Sequence, residues 1–117
     1  MTLIKKVSTL LFFLGCVAFS PLHHGWSNYD QKKVFDFTGI IQEFKFENPH
    51  ATAKVSNNKL IWTVVLAPTS RMQDRGVPNN RLVKGSSLRV VGYPHKEIKG
   101  EMRAERIFIG ETKYELR

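Results

Sequence analysis

The sequence predicts an all-β protein, a closed barrel of five strands with one short helix between strands 3 and 4. Three observations point to this class. Short segments that are apolar or alternate in hydrophobicity are separated by turn residues. The first of these segments is long and contains a glycine, and the helical signal follows the third segment. A long first strand suits a small barrel because that strand bends to pair in both halves.

The first strand is predicted from about Val34 to Phe46, with a change of side-chain parity along its length. Two phenylalanines near its start fall on one parity and two near its end fall on the other: Phe35, Phe37, Phe44 and Phe46. Because side chains alternate between the faces of a strand, all four can face one core only if an extra residue intervenes. Gly39 lies between the two pairs, and glycine is common at bulges. We therefore expect a bulge at Gly39.

The remaining elements are predicted from turn and capping residues. Pro49 ends the first strand because proline lacks the N–H that a strand ladder needs. Ser70, with Gln73 three residues later, matches a capping box, and Gly76 supplies the stop of a short helix. Further strands are predicted at residues 51–55, 60–67, 88–93 and 102–109, with a hairpin turn at 56–59 and a continuation at 114–116.

This order of elements is that of an OB-fold, a five-stranded Greek-key barrel. An SH3-like or other small barrel is the competing architecture. We expect three regions, namely a signal peptide at residues 1–20, a loosely held N-terminal arm at 21–32 and the barrel domain at 33–117. About a hundred residues after export are enough for one domain and not for two.

The first twenty residues have the pattern of an export signal. Lys5 and Lys6 precede an apolar run at 7–19, which is shorter than the roughly 20 residues that a membrane span requires. Cleavage after Ser20 leaves a proline at the first mature position, which signal peptidases disfavour. Cleavage after Ala18 and an uncleaved anchor are the alternatives. We expect export to the bacterial periplasm and no transmembrane span in the mature chain.

The single cysteine, Cys16, lies in this export segment. The run Phe13-Leu14-Gly15-Cys16 resembles a bacterial lipobox, except that Phe13 stands where an aliphatic residue is usual. Lipidation of Cys16 is therefore one alternative. In the other, Cys16 leaves with the signal, and a hydrophobic core must hold the mature fold together without any disulfide.

The charge and the residue motifs predict a binding module and not an enzyme. The formal net charge is +8, or +6 once Lys5 and Lys6 are removed, which favours contact with anionic surfaces. The basic residues are interleaved with acids, however, which is typical of a solvated surface. No Ser-His-Asp arrangement, Gly-rich phosphate loop or mature thiol nucleophile stands out.

Three motifs follow one another along the chain: His23-His24-Gly25 after the signal, Thr38-Gly39-Ile40-Ile41 in the first strand, and Glu47-Asn48-Pro49-His50-Ala51 at its end. In order and spacing they resemble a family of small exported bacterial proteins catalogued as domain of unknown function 6152. Lys84-Gly85, followed by Val91-Gly92-Tyr93, adds to the resemblance. It covers nearly the whole mature chain and implies the barrel fold, but it implies no activity, since the family has none established.

The chain also departs from the pattern of that family. Gly25 stands where serine is usual, and Ser86 replaces an aspartate in the turn. The tryptophan that follows Asn-Pro-His in the family is missing, with Thr52 and Ala53 there instead. These departures weaken any site carried over from the family but leave the predicted fold intact.

Three histidines in these motifs, His23, His24 and His50, are candidate ligands of a transition metal. Neutral imidazole suits copper, nickel and zinc. Cleavage after Ser20 would make His23 the third residue from a free amine, an arrangement that chelates copper or nickel in a square plane. In the alternative, His50 bonds a backbone carbonyl and the other two are exposed. No H-x-x-x-H spacing or cysteine partner strengthens the signal.

A second hypothesis is an interaction module that presents a loop or sheet surface to an envelope protein or a polyanion. OB-folds stack bases on exposed aromatic side chains above a basic groove. Trp62 is the candidate platform, with Lys54, Lys59 and Arg89 as candidate phosphate contacts. Trp62 is in phase with Val64, however, which favours a core position, and export argues against nucleic acid as the partner.

Overall fold

Six strands and one short helix make up the part of the chain that the structure, a computed structural model, describes, residues 25–117. The strands are β1 (Phe35–Lys45), β2 (Thr52–Asn57), β3 (Leu60–Val65), β4 (Ser87–Pro94), β5 (Glu101–Ile109) and β6 (Thr112–Glu115). The helix α1 (Thr69–Asp74) lies between β3 and β4, and a 3-10 turn follows at Asn79–Arg81. The predicted signal peptide, Cys16, His23 and His24 lie outside the described residues.

The first five strands close into a barrel. The sheet order is β3-β2-β1-β4-β5-β6, and a parallel pairing of β3 with β5 joins its two sides. This cycle is consistent with an OB-fold-like barrel, so the predicted all-β fold with a helix between strands 3 and 4 is confirmed. The predicted continuation at 114–116 is a separate strand, β6, which pairs antiparallel with β5.

β1 belongs to both halves of the barrel. Its first half, from Phe35 to Ile40, pairs antiparallel with β4, and its second half, from Ile40 to Lys45, pairs antiparallel with β2. One continuous strand therefore turns from one half to the other, which explains its length of 11 residues.

The bulge in β1 lies at Gln42, so the prediction that placed it at Gly39 is wrong. The register against β2 shifts between Ile41 and Glu43, which makes Gln42 the extra residue. The side-chain amide of Gln42 donates through Nε2 to Ser56 Oγ at 3.0 Å. Gly39 has a different role, because a Cβ there would overlap the Ser56 carbonyl oxygen. It marks the point where β2 crosses β1 too closely for a side chain.

The barrel interior is filled with aliphatic side chains. The largest of those with less than 2% exposure include Ile41, Leu66, Met72, Leu82, Leu88, Met102, Ile107 and Leu116. Met72 comes from α1, so the helix covers the end of the barrel where β3 ends and β4 begins. Phe35, Phe37 and Trp62 pack against the core from the opposite end.

α1 begins earlier than predicted and without a side-chain cap. Pro68 is the N-cap residue, and Ser70 lies inside the first turn, so the capping-box prediction for Ser70 is wrong. Proline presets a φ value that suits this position, and the Thr69 hydroxyl donates to Asn48 Oδ1 at 2.9 Å. No side chain takes the capping role that was expected of Ser70. Gly76 follows the helix with a φ of +74°.

Residues 25–32 pack against the barrel, and the expectation of a loose arm is wrong for this part of the chain. Tyr29 is only 6% exposed and bridges to His95 in the β4–β5 loop. Its hydroxyl donates to Glu101 Oε2 at 2.6 Å. Two buried or half-buried aromatic side chains, Tyr29 and Trp26, explain why this segment lies on the barrel. Within residues 25–117, no helix has the length and apolar character needed to cross a bilayer.

Candidate functional site

A cleft of about 370 Å³ lies beside the β1–β2 loop, a size typical of small-ligand pockets. Its lining residues are Gly25, Trp26, Pro49, His50, Pro68, Arg71 and Arg103. They come from the N-terminal arm, the β1–β2 loop, the β3–α1 junction, α1 and β5. Two of them are arginines and none is acidic. We call this feature the Arg103 cleft.

Arg103 is buried on the outer face of the barrel. Its neighbours in β5, Met102 and Ala104, belong to the core, so the alternation of a strand directs Arg103 outward. The arm then covers it, since the guanidinium lies 4.4 Å from the centre of the Trp26 ring. Only 6% of Arg103 is exposed as a result.

No carboxylate among residues 25–117 forms an ion pair with this buried guanidinium. Its Nε has no hydrogen-bond partner among those residues. Burial, opposed by Tyr29 but reinforced by Arg71 and Arg117, lowers the pKa of Arg103. Arg103 nevertheless stays charged, because arginine does not deprotonate in proteins. The cleft therefore contains a desolvated positive charge for which residues 25–117 provide no negative partner.

The nearby carboxylates are bound to other groups. Glu101 accepts the hydrogen bond of the Tyr29 hydroxyl. Glu105 accepts from the Tyr93 hydroxyl and pairs with Arg106 at 3.2 Å and Arg117 at 3.5 Å. The pKa of Tyr93 is raised mainly by its hydrogen bond to Glu105. Neither acid is free to neutralise Arg103.

His50 contacts Arg103 directly. Its Nε2 lies 3.3 Å from a terminal nitrogen of the guanidinium. Arginine can only donate, so Nε2 accepts and the proton of the neutral ring is on Nδ1. Burial, followed by the positive charges of Arg103 and Arg71, holds the pKa of His50 below its ordinary value. His50 is therefore neutral at pH 7, with Nδ1–H as a further donor.

Arg71 and Arg75 make similar contacts, but only Arg71 lines the cleft. Arg71 donates to the carbonyl oxygen of Leu116 at 3.3 Å. Arg75, one turn later in sequence, donates to the carbonyl oxygens of Glu115 and Arg117. Arg75 is therefore a natural control for any effect of Arg71.

Of the three predicted metal ligands, the structure describes only His50. Gly25 lines the same cleft as His50, and in sequence it directly follows His24. Residues 25–117 contain no group of three or more His, Cys, Asp or Glu side chains that could hold a metal ion. The metal site therefore stays a prediction.

The predicted polyanion contacts do not form one groove with Trp62. Trp62 packs inward with Phe35, their ring centres being 5.3 Å apart. Lys54 is exposed and precedes the inward-facing Val55, so its side chain lies on the outer face of β2. Arg89 is held by two 2.9 Å hydrogen bonds from its guanidinium to the Asp36 carboxylate. Lys59 is exposed in the β2–β3 turn.

The sequence gives little sign of Arg71, Trp26 and Arg103 as site residues. A charged residue at an outward strand position is ordinarily solvated, and nothing local shows that a distant tryptophan covers it. The usable signal is the arm: a tryptophan and a tyrosine within four residues of each other are unusual in a segment that is merely a linker.

The family comparison matches residues 13–103 of this chain to a family of unknown function (DUF6152). No curated protein matches the chain. The matched range includes the N-terminal arm, the β1–β2 loop, α1 and Arg103, and thus every lining residue of the Arg103 cleft. Because the match covers well over half of the chain, this protein belongs to the family of unknown function.

Proposed function

We propose that this protein is a non-catalytic binding module, exported to the periplasm, that takes a small anion in the Arg103 cleft. The ligand is a molecule with a carboxylate or phosphate group. One observation supports this proposal most. Arg103 is charged, only 6% of its surface is exposed, and it has no anionic partner among residues 25–117.

The energetics of charge burial favour an external anion. Desolvation of an unpaired charge lowers the free energy of unfolding by roughly several kcal/mol, and folded proteins rarely keep such a charge. A carboxylate or phosphate would offset this cost, because arginine presents paired N–H donors to planar oxygens. Arg71 adds a second positive charge, and His50 adds a neutral donor.

The surroundings would strengthen such an interaction. Trp26, Pro49 and Pro68 supply apolar walls to the cleft. Charges attract more strongly where water is excluded, so a small anion needs few contacts to bind there. The export segment that the sequence predicts supports the periplasmic location.

The test is isothermal titration calorimetry on the protein purified from the cell envelope. Inorganic phosphate and citrate are the two titrants. We expect one site, with weaker binding as the salt concentration rises. Arg103→Met should lower the affinity about tenfold or more, because it removes a charge-assisted hydrogen-bond donor. Arg71→Gln should lower it by a smaller factor.

Arg75→Gln is the matched control, since Arg75 also donates to backbone carbonyl oxygens at the end of the chain but does not line the cleft. It should leave the affinity unchanged. Thermal unfolding should place Arg103→Met within about 1 kcal/mol of the parent, because the substitution also removes an unpaired buried charge. Equal losses in Arg71→Gln and Arg75→Gln, or unaltered anion binding by Arg103→Met, would refute the proposal.

A second candidate is transition-metal binding by His23, His24 and His50. The observation in its favour is that Gly25, which follows His24, lines the same cleft as His50. A metal at His50 Nε2 would have to displace the contact from Arg103. Titration with Cu(II), Ni(II) or Zn(II) should give near-stoichiometric, pH-dependent binding that a triple alanine variant loses. Binding no stronger than that of an unrelated histidine-containing protein would exclude this candidate.

A further inference from the structure

The most exposed aliphatic side chains lie at one end of the barrel. Among residues 25–117, the exposed large hydrophobic residues include Val34 at 61%, Leu60 at 59%, Ile61 at 59% and Ile98 at 52%. The other members of that set, Ile40, Phe46 and Val83, are less exposed. We call the four most exposed residues the apolar rim.

Strand topology brings the apolar rim together. Val34 precedes β1, whose start pairs with the end of β4 through Phe35 and Gly92. Ile98 lies in the loop that follows this end of β4. Because β3 runs parallel to β5, the start of β3, with Leu60 and Ile61, lies at the same end. The Thr63 amide donates to the Gly100 carbonyl oxygen at 2.8 Å, which ties β3 to that loop.

Exposed lysines flank the members of the apolar rim in sequence. They are Lys32 and Lys33 before β1, Lys59 in the β2–β3 turn, and Lys96 and Lys99 in the β4–β5 loop, and all are exposed. Lys32 and Lys96 border one depression, so the first and last of these segments adjoin. Of the nearby acids, Glu97 is exposed, whereas Asp30 accepts a hydrogen bond from the Lys32 amide and Glu101 accepts one from Tyr29.

We propose that this end of the barrel docks on a membrane surface that contains anionic lipid. Exposed aliphatic side chains with lysines beside them can enter the boundary between headgroups and acyl chains. The lysines would meanwhile remain at headgroup level, where each basic group adds attraction to an anionic surface. The complementary charge distinguishes a lipid surface from a second copy of this chain, whose rim would carry the same lysines.

The docked orientation would leave the Arg103 cleft accessible. Pro49 and His50 lie in the β1–β2 loop, and Pro68 follows β3, so these residues are at the far end of their strands from the apolar rim. Membrane docking and anion binding therefore use separate surfaces and can be tested separately.

The test is co-sedimentation with vesicles of phosphatidylcholine alone and of phosphatidylcholine mixed with phosphatidylglycerol. Every variant keeps the same N-terminal segment, so differences between variants report on the rim and not on residues 1–24. Ile61→Ser combined with Ile98→Ser should weaken binding to the mixed vesicles about tenfold or more, because it removes apolar area that would enter the bilayer. Lys59→Gln combined with Lys99→Gln should weaken it too, and remove much of the preference for anionic vesicles.

Matched substitutions elsewhere on the barrel are the controls. Phe46→Ser with Val83→Ser, and Lys84→Gln with Lys113→Gln, change exposed residues outside this end and should leave vesicle binding unchanged. Arg103→Met should also bind vesicles normally. Equal losses in rim and control variants, equal binding to both vesicle types, or a rim that instead drives concentration-dependent dimers in sedimentation would overturn the proposal.

Discussion

Arg103 combines two properties that rarely occur together, burial and the absence of a counter-charge among the residues that the structure describes. Its contacts within residues 25–117 are with neutral groups, the ring of Trp26 and Nε2 of His50. A cation–π contact offsets part of the desolvation of a guanidinium but does not neutralise it. The residue therefore makes better sense as one half of an ion pair whose other half is a ligand.

His50 should report on this charge through its pKa. Burial, then Arg103 and Arg71, lowers that pKa below the ordinary 6.5. The unfolded chain then binds a proton more readily than the folded protein, so the free energy of unfolding is at its full value above pH 6.5 and falls as the pH drops below it. An NMR titration of the His50 ring should give a midpoint below 6.5, and Arg103→Met should raise it.

Phosphate should raise the His50 midpoint as well, because an anion beside the ring stabilises its protonated form. His50→Gln should flatten the decrease of stability below pH 6.5. A midpoint that neither Arg103→Met nor phosphate moves would contradict the electrostatic coupling of these residues.

β1 shows that Gly39 is required by a close approach of two backbones. A Cβ at this position would lie 2.6 Å from Val55 Cγ1 and would overlap the Ser56 carbonyl oxygen. Gly39→Ala should therefore destabilise the protein by about 2–3 kcal/mol, as expected for overpacking, or prevent folding. Thr38→Ala, at the exposed neighbouring position, is the control and should have a small effect. Urea unfolding with both variants within about 0.5 kcal/mol of the parent would contradict this role.

The positions of the strands were predictable because local sequence patterns determine them. The details that depend on packing between elements were less predictable. Strand alternation and turn residues gave the strands to within a few residues, because these signals are local. The phenylalanine parity required a bulge in β1, but its position at Gln42 depends on the register against β2. Ser70 matched a capping box, yet α1 starts at Thr69, directly after Pro68, and has no side-chain cap.

The candidate site was less predictable because residues far apart in sequence form it. The Arg103 cleft combines the arm with α1 and β5, and its central property arises only when Trp26 lies over Arg103. His50 was singled out from the sequence, but as a metal ligand. Its contact with Arg103 is what links it to an anion.

At the scale of the whole molecule, the two proposals place different functions at the two ends of a small barrel. One carries the apolar rim and its lysines, and the Arg103 cleft lies towards the other, beside α1. In the proposed periplasmic location, such an arrangement would hold the protein on an anionic membrane with the cleft turned away from the lipid. The helix α1 and the N-terminal arm contribute walls of the cleft. Elements added to the barrel would therefore determine which anion binds.

The most direct measurement is a crystal structure of the protein grown with selenate, a phosphate-like anion that anomalous scattering can locate. We predict an anomalous peak within hydrogen-bonding distance of the Arg103 guanidinium, absent from crystals of Arg103→Met. Selenate bound only elsewhere, or an Arg103 neutralised by a carboxylate of its own chain, would contradict an anion-binding role for the cleft.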